Sequence, residues 1–168
     1  METGSVEEIV RSLNGAGARY LIAGGLAVVA HGYVRLTADL DIILDLDHPE
    51  LRTWLAALGA LGYRPRAPVP LEDFADAGKR RSWIAEKNMK VFSLFSPRHP
   101  ATEIDIFAQP PLDFSSAYAK AARFEAGPGI TATFLSREDL ISLKRAAGRP
   151  KDLLDIERLE ALGRPDGS

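Results

Sequence analysis

Residues 19–44 read RYLIAGGLAVVAHGYVRLTADLDIIL, and this stretch decides the fold. A short apolar run ends at Gly24-Gly25, and the spacing that follows predicts a helix over 26–31. Residues 39–46 then alternate between apolar and mainly acidic side chains. Alternation with a period of two predicts a half-buried strand with an acidic second face. The stretch therefore predicts a strand, a turn, a helix and a second strand.

The rest of the chain also alternates between helical and strand patterns. Ser136 is placed to cap a helix that ends at Gly148, and Pro150 is placed to open the last helix. The patterns predict helices over 5–15, 49–61, 114–121, 136–147 and 150–162, and strands over 19–23, 89–95, 103–107 and a hairpin over 123–134. Strands interleaved with helices predict an α+β fold, a mixed sheet flanked by helices.

The segment between the predicted strand at 39–46 and the strand at 89–95 is harder to interpret. Prolines and glycines over 64–78 predict a loop. Residues 79–90 contain a basic run around Trp83. Such a run can bind RNA by charge and stacking, or it can be an ordinary exposed loop or edge. The pattern alone leaves both interpretations open.

Length and composition bound the functions that the chain can have. The 168 residues are the size of one domain, which we expect over 1–163 with a disordered tail at 164–168. The net charge of −2 argues against binding nucleic acid by bulk charge, and the lack of cysteine excludes disulfides, thiolate catalysis and cysteine-ligated zinc. No secretory signal precedes the first helix, and the longest apolar run is too short to span a membrane. We therefore expect a cytoplasmic protein with no membrane partner.

Acidic residues on two predicted strands are candidate metal ligands. Asp39 and Asp41 share one face of a strand about 6.5–7 Å apart, where like charges repel unless a cation lies between them. Carboxylate oxygens at this spacing suit Mg²⁺. Asp105, in the predicted strand 103–107, would add a third carboxylate if the two strands are neighbours, enough for a two-metal site. The alternative is an edge strand whose acids face water.

The Gly24-Gly25 pair is a candidate phosphate site. A strand that ends in two glycines and leads into a helix brings backbone N–H groups close to an anion, and the helix dipole favours phosphate there. The alternative is a tight turn with no ligand. The spaced glycines of a dinucleotide site and the lysine-containing phosphate loop are both missing.

In combination, these features resemble the DNA polymerase β-like nucleotidyltransferase superfamily. Gly24-Gly25 is followed after thirteen residues by Asp39-Leu40-Asp41, and Asp105 lies in a later strand. RLTADLD at 35–41 is similar to the Arg-x-Thr-x-Asp-x-Asp form of small bacterial members, and residues 136–156 also look like stand-alone enzymes. Within the superfamily, the chain resembles the toxin-type enzymes of toxin–antitoxin and abortive-infection systems. The resemblance covers about residues 19–160, except for 64–90.

The resemblance implies a fold, a cofactor and roles for individual residues. The fold would be the polymerase β-like nucleotidyltransferase fold with C-terminal helices. Asp39, Asp41 and Asp105 would be the catalytic metal ligands for two Mg²⁺ ions or for Mn²⁺, and Asp105 would help deprotonate the acceptor hydroxyl. Gly24 and Gly25 would hold the triphosphate of the nucleotide.

Four other residues are candidates for nucleotide binding: Arg35, Thr37, Lys144 and Arg149. Arg35 and Thr37 could instead support the acidic strand structurally. Lys144 and Arg149 belong to a basic cluster that can reach phosphates. The alternative for them is a solvated basic face that forms ion pairs with Asp152 or Asp155 of the last helix.

The function that the resemblance implies is Mg²⁺-dependent transfer of a nucleoside monophosphate from a nucleoside triphosphate, such as ATP, with release of pyrophosphate. We expect the acceptor to be a hydroxyl of a macromolecule, either the end of a tRNA or a protein. A cognate antitoxin and a second copy of the chain are candidate partners. One alternative is a non-catalytic module that binds nucleotide or a partner. Another is a small-molecule nucleotidyltransferase of the aminoglycoside type. The length argues against this alternative, because such enzymes tend to carry an extra helical domain for the acceptor.

Overall fold

The computed structural model describes residues 1–163, so the predicted tail at 164–168 lies outside the described residues. The strands are β1 (Tyr20–Ala23), β2 (Asp39–Leu44), β3 (Arg64–Pro65), β4 (Val91–Phe95), β5 (Glu103–Phe107), β6 (Ala122–Gly127) and β7 (Ile130–Phe134). In the described part of the chain they form one sheet in the order β3-β4-β5-β2-β1-β7-β6. β2 is parallel to β5 and antiparallel to β1, so the sheet is mixed, as predicted.

The helices are α1 (Thr3–Gly15), α2 (Gly24–Ala30), α3 (Leu51–Ala60), α4 (Ala77–Lys87), α5 (Phe114–Ala119), α6 (Arg137–Ala147) and α7 (Pro150–Leu162). The predicted ends of α6 are confirmed. The Asp139 backbone N–H donates to Ser136 Oγ over 3.1 Å, and Gly148 follows in the left-handed conformation with φ +64°. Among the helices of residues 1–163, not one combines the length and the apolar character that crossing a membrane requires.

Strands β2, β4 and β5 have one fully buried face. Its side chains are at most 1% exposed and are Leu40, Ile42, Phe92, Leu94, Ile104 and Ile106. On this side the rings of Phe74 and Trp83 stack on Phe92, with centroids 4.5 and 5.6 Å away. Because side chains alternate along a strand, Asp39, Asp41 and Asp105 lie on the opposite face. Burying one face of this part of the sheet thus leaves the acidic face available for a site.

Three local predictions were wrong. Residues 64–78 are not a plain loop, because they contain β3, a 3₁₀ turn at Leu71–Ala75 and the start of α4. The basic run at 79–90 is mostly helix α4, whose first turn is capped by a 3.0 Å hydrogen bond from Lys79 N–H to Asp76 Oδ1. Pro49 does not occupy the first helical position, because α3 begins at Leu51.

Candidate active site

The pairing of β2 with β5 brings the acidic residues together. The two strands are parallel, and their register places Asp41 beside Asp105 and Asp39 beside Glu103. Neighbouring strands are about 4.8 Å apart, so paired residues present their side chains side by side. Asp39, Asp41 and Asp105 all line one cavity of about 600 Å³. The edge-strand alternative is therefore wrong for β2, which has a partner on each side.

The diglycine turn packs directly against this row of carboxylates. Ala23, the last residue of β1, pairs with Asp41, and Gly24 follows with a φ of +62°. A Cβ atom on Gly24 would lie 1.9 Å from Asp41 Oδ2, and one on Gly25 would lie 2.4 Å from Thr37 Oγ1. Neither contact is sterically tolerable, and a positive φ is costly for other residues. Glycine at position 24 thus lets the chain pass close to Asp41, and glycine at position 25 leaves room for the Thr37 and Arg35 side chains.

The cavity makes the charge of Asp41 unfavourable. Burial, followed by the charges of Asp105 and Asp39, raises the pKa of Asp41 to about 6. The positive charges of Lys144 and Lys151 oppose that shift only in part. Carboxylates crowded in this way are found at catalytic and cation-binding sites, where a ligand relieves the repulsion.

The donor chemistry of the site fits Mg²⁺ or Mn²⁺. Carboxylate oxygens are present on neighbouring strands, and burial together with the charges of Asp105 and Asp39 makes ionised Asp41 unfavourable, a cost that a bound cation would reduce. Within residues 1–163, however, no three histidine, aspartate or glutamate side chains form a complete ligand set as they stand. Mg²⁺ commonly takes one or two protein carboxylates and completes its shell with phosphate and water. The two-metal site therefore stays a prediction for Asp39, Asp41 and Asp105.

Lys144 and Arg149 also line the cavity, and both form ion pairs with α7. Lys144 Nζ lies 2.8 Å from Asp155 and 3.5 Å from Asp152, and its side chain is only 8% exposed. Arg149 Nε lies 2.6 Å from Asp152. Burial alone would raise the pKa of Asp152, but the hydrogen bonds and charge of Arg149, together with Lys144, hold it below its ordinary value. The predicted ion pairs exist, although the one at Lys144 is buried rather than solvated.

Arg35 and Thr37 lie behind the diglycine turn. The Arg35 guanidinium donates two hydrogen bonds, of 3.0 and 2.9 Å, to the two carboxylate oxygens of Asp155. Its Nη1 and the Thr37 hydroxyl are the atoms that a Cβ on Gly25 would meet. Neither residue is among those that line the carboxylate cavity. Their contacts are those expected of residues that support the turn, and their role in nucleotide binding stays a prediction.

Ser93 was not predicted from the sequence as a site residue, and Lys151 was predicted only as a member of the basic cluster with Lys144 and Arg149. Asp152 and Asp155 were expected only as surface ion-pair partners. Asp155 is 2% exposed and joins Arg35 of the turn to Lys144 of the cavity. Ser93 pairs with Asp105 across β4 and β5. A signal for Ser93 was present, because it is the polar residue at the centre of an otherwise apolar strand. No local pattern reveals that the acids of α7 are buried.

The remaining wall of the cavity is apolar. It consists of Val91 and Phe107 on the sheet, Pro111 after β5, and Leu140 and Leu143 on α6. The row of carboxylates is bordered on one side by the Gly24 turn, which follows β1, and on the other side by β4. A cavity with an apolar wall, a few charged groups and a concave shape is typical of a small-molecule site.

Solved structures identify the class of fold. No protein-family model and no curated protein sequence matches the chain. A crystal structure of the lincosamide antibiotic adenylyltransferase LnuA with lincomycin bound is similar over 89% of this chain and 90% of that one, with a TM-score of 0.56 and 14% identity. The structure of ANT(2″)-Ia in complex with adenylyl-2″-tobramycin is similar over 95% and 93%, with a TM-score of 0.57 and 17% identity.

The chain therefore has the nucleotidyltransferase fold, a mixed α+β sheet with helices. This confirms the fold class that the sequence predicts and the coarse resemblance to nucleotidyltransferases. Neither of these two structures is a toxin-type enzyme, so the likeness to that group stays a prediction. The size argument against small-molecule acceptors was wrong, because this chain covers nearly the full length of two chains of that kind.

Proposed function

We propose that the protein is an Mg²⁺-dependent nucleotidyltransferase that transfers a nucleoside monophosphate to a hydroxyl group of a small molecule. The observation that carries the proposal is the register of β2 and β5, which places Asp41 beside Asp105 directly at the diglycine turn. The apolar cavity wall supports a small acceptor. So does the likeness in fold and length to two adenylyltransferases whose structures hold antibiotics or their adenylyl product.

The reaction balances as an in-line displacement. A hydroxyl oxygen of the acceptor attacks the α-phosphorus, the new O–P bond forms as the bond to the β-phosphate oxygen breaks, and pyrophosphate leaves. The hydroxyl proton passes to Asp105, which is the base in this proposal. Asp39, Asp41 and Asp105 would hold Mg²⁺, which supplies charge neutralisation on the phosphates and a lower pKa for the attacking hydroxyl.

Other groups of the cavity bind and orient the nucleotide in this proposal. Gly24 and Gly25 allow the triphosphate to approach the backbone closely. Lys144 and Arg149 provide positive charge on the α6 side, where their pairs with Asp152 and Asp155 fix their positions. Arg35 and Thr37 keep the turn in place from behind. The protein thereby supplies positioning and electrostatic stabilisation, which suffice for a phosphoryl-type transfer.

Labelled nucleoside triphosphates test the proposal directly. Each of ATP, GTP, CTP and UTP is incubated with the protein, Mg²⁺ and a panel of hydroxylated small molecules that includes lincomycin and tobramycin. We expect a labelled small-molecule product and pyrophosphate with the wild type but not with Asp105→Asn. The control is Glu138→Gln, an exposed acid of α6 outside the cavity lining, which should retain transfer.

A macromolecular acceptor is the second candidate, and α4 favours it. Arg81, Lys87 and Lys90 are exposed, so part of the basic run is available to a nucleic acid, whereas Arg80 is buried and Lys79 pairs with Asp73. Transfer to total tRNA or to lysate protein, with no small-molecule product, would favour the tRNA end or a protein hydroxyl. A cognate antitoxin and a homodimer are further partners to test in that case. Tight triphosphate binding without transfer to any acceptor would instead indicate a non-catalytic module.

A further inference from the structure

Among residues 1–163, Ser93 is the one side chain that donates a hydrogen bond to Asp39, Asp41 or Asp105. It lies in β4 as the direct partner of Asp105 in β5, on the same face of the sheet. Its hydroxyl donates to Asp105 Oδ1 over 2.6 Å. That distance is typical of the strong hydrogen bond between a hydroxyl and an ionised carboxylate.

The hydrogen bond distinguishes Asp105 from its two neighbours. With Oδ1 engaged, rotation of the Asp105 carboxylate is restricted, and Oδ2 is the oxygen without a protein donor in the described structure. A hydroxyl is suited to this task because it orients a carboxylate without cancelling its charge. A lysine at position 93 would form an ion pair and remove the charge that a cation or a proton needs.

We propose that Ser93 is a positioning residue that holds Asp105 Oδ1 so that Oδ2 is presented to the metal and to the acceptor hydroxyl. The inference rests on the proposed function, since it assigns Asp105 to metal binding and proton transfer. A purely structural cross-strand pair would contribute to folding but would not change ligand binding. The two roles therefore predict different experimental results.

Two nearly isosteric variants separate these roles. Ser93→Thr keeps a hydroxyl, and Ser93→Val has the same shape without one, while β-branched residues suit a strand in both cases. Mn²⁺ alone is the probe, and its binding is measured by electron paramagnetic resonance without nucleotide. We expect Ser93→Val to bind Mn²⁺ roughly 10–100-fold more weakly than the wild type, as is usual when the partner of a metal ligand is lost. Ser93→Thr should bind Mn²⁺ much as the wild type does, and thermal unfolding should show that both variants are folded.

A double-mutant cycle with Asp105→Asn provides the control. If Ser93 acts through Asp105, Ser93→Val causes no further loss of Mn²⁺ affinity in the Asp105→Asn background. Equal Mn²⁺ affinity of the Thr and Val variants, or the same loss in both backgrounds, would overturn the positioning role and leave the proposed function intact. Failure of the wild type to bind Mn²⁺ at all would overturn the metal-dependent function and this inference together.

Discussion

Asp41→Asn should stabilise the protein at neutral pH while it removes a proposed metal ligand. The folded chain raises the pKa of Asp41 from 3.8 to about 6, so it binds this proton more tightly than the unfolded chain does. Deprotonation therefore costs folding free energy. The cost is absent below the pKa that Asp41 has in the unfolded chain. It grows as the pH rises from about 4 to 6 and reaches its full size above about pH 6.

The size of the effect follows from the shift in the pKa. About two pH units at 1.36 kcal/mol each give a cost of ~3 kcal/mol at pH 7.5. Asparagine has nearly the same shape and no charge, so the variant should recover most of that cost. For a chain of this size each kcal/mol corresponds to roughly 2–4 °C in melting temperature, which predicts a gain of roughly 6–12 °C.

Urea unfolding of the wild type and the variant, in EDTA at pH 7.5 and pH 3.5, measures this difference. The gain should be present at the higher pH and vanish at the lower one, where Asp41 is protonated in both the folded and the unfolded chain. Glu157→Gln removes an exposed carboxylate outside the cavity and should change little at either pH. Mg²⁺ should stabilise the wild type more than the variant. An Asp41→Asn protein no more stable than the wild type at pH 7.5, or one whose gain persists at pH 3.5, would refute the reasoning.

Three further predictions concern the turn and the C-terminal helices. Gly24→Ala should abolish Mn²⁺ binding and transfer, because its Cβ would meet Asp41, whereas Gly129→Ala has a similar positive φ and open space and should cost only backbone strain. Asp155→Asn should lower the free energy of unfolding in urea by about 3 kcal/mol, because it removes the closer carboxylate partner of buried Lys144 and the carboxylate that Arg35 contacts. Glu160→Gln, which breaks an exposed pair with Arg145, should cost less than about 1 kcal/mol. Because the pKa of Asp152 is lowered by folding, its stabilising contribution should disappear as the pH falls below about 4, and Asp152→Asn should show a shallower acid-induced loss of stability.

The sequence allowed the acidic strand and the caps of α6 to be predicted because both depend on local spacing. Alternation along 39–44 is a property of neighbouring residues, and the cap at Ser136 needs only the residue three positions later. The juxtaposition of Asp41 and Asp105 depended on a pairing of distant strands that spacing cannot specify. The resemblance to a known superfamily supplied that pairing as an expectation.

The segment around α4 shows why other parts could not be predicted. Its basic residues suggested an exposed loop, but Arg80 is buried, with its guanidinium donating to the carbonyl of Phe74 and packed over the Phe74 ring. The burial of a charged residue depends on contacts made by the whole fold, and composition gives no sign of it. Asp76 as a helix cap was the local signal that could have identified the start of α4.

If the protein binds a triphosphate as proposed, the charges around the cavity predict that a cation must bind with it. Three of the aspartates that line the cavity form no ion pair within residues 1–163, whereas the cations Lys144 and Arg149 are paired with Asp152 and Asp155 of α7. Lys151 adds one positive charge to the lining. A triphosphate without a cation would therefore be repelled by the net negative charge of the cavity lining. Burial and the charges of Asp105 and Asp39 destabilise ionised Asp41 in the folded chain, and both effects favour a bound divalent cation. They therefore link the stability cost at this site to the chemistry that we propose for it.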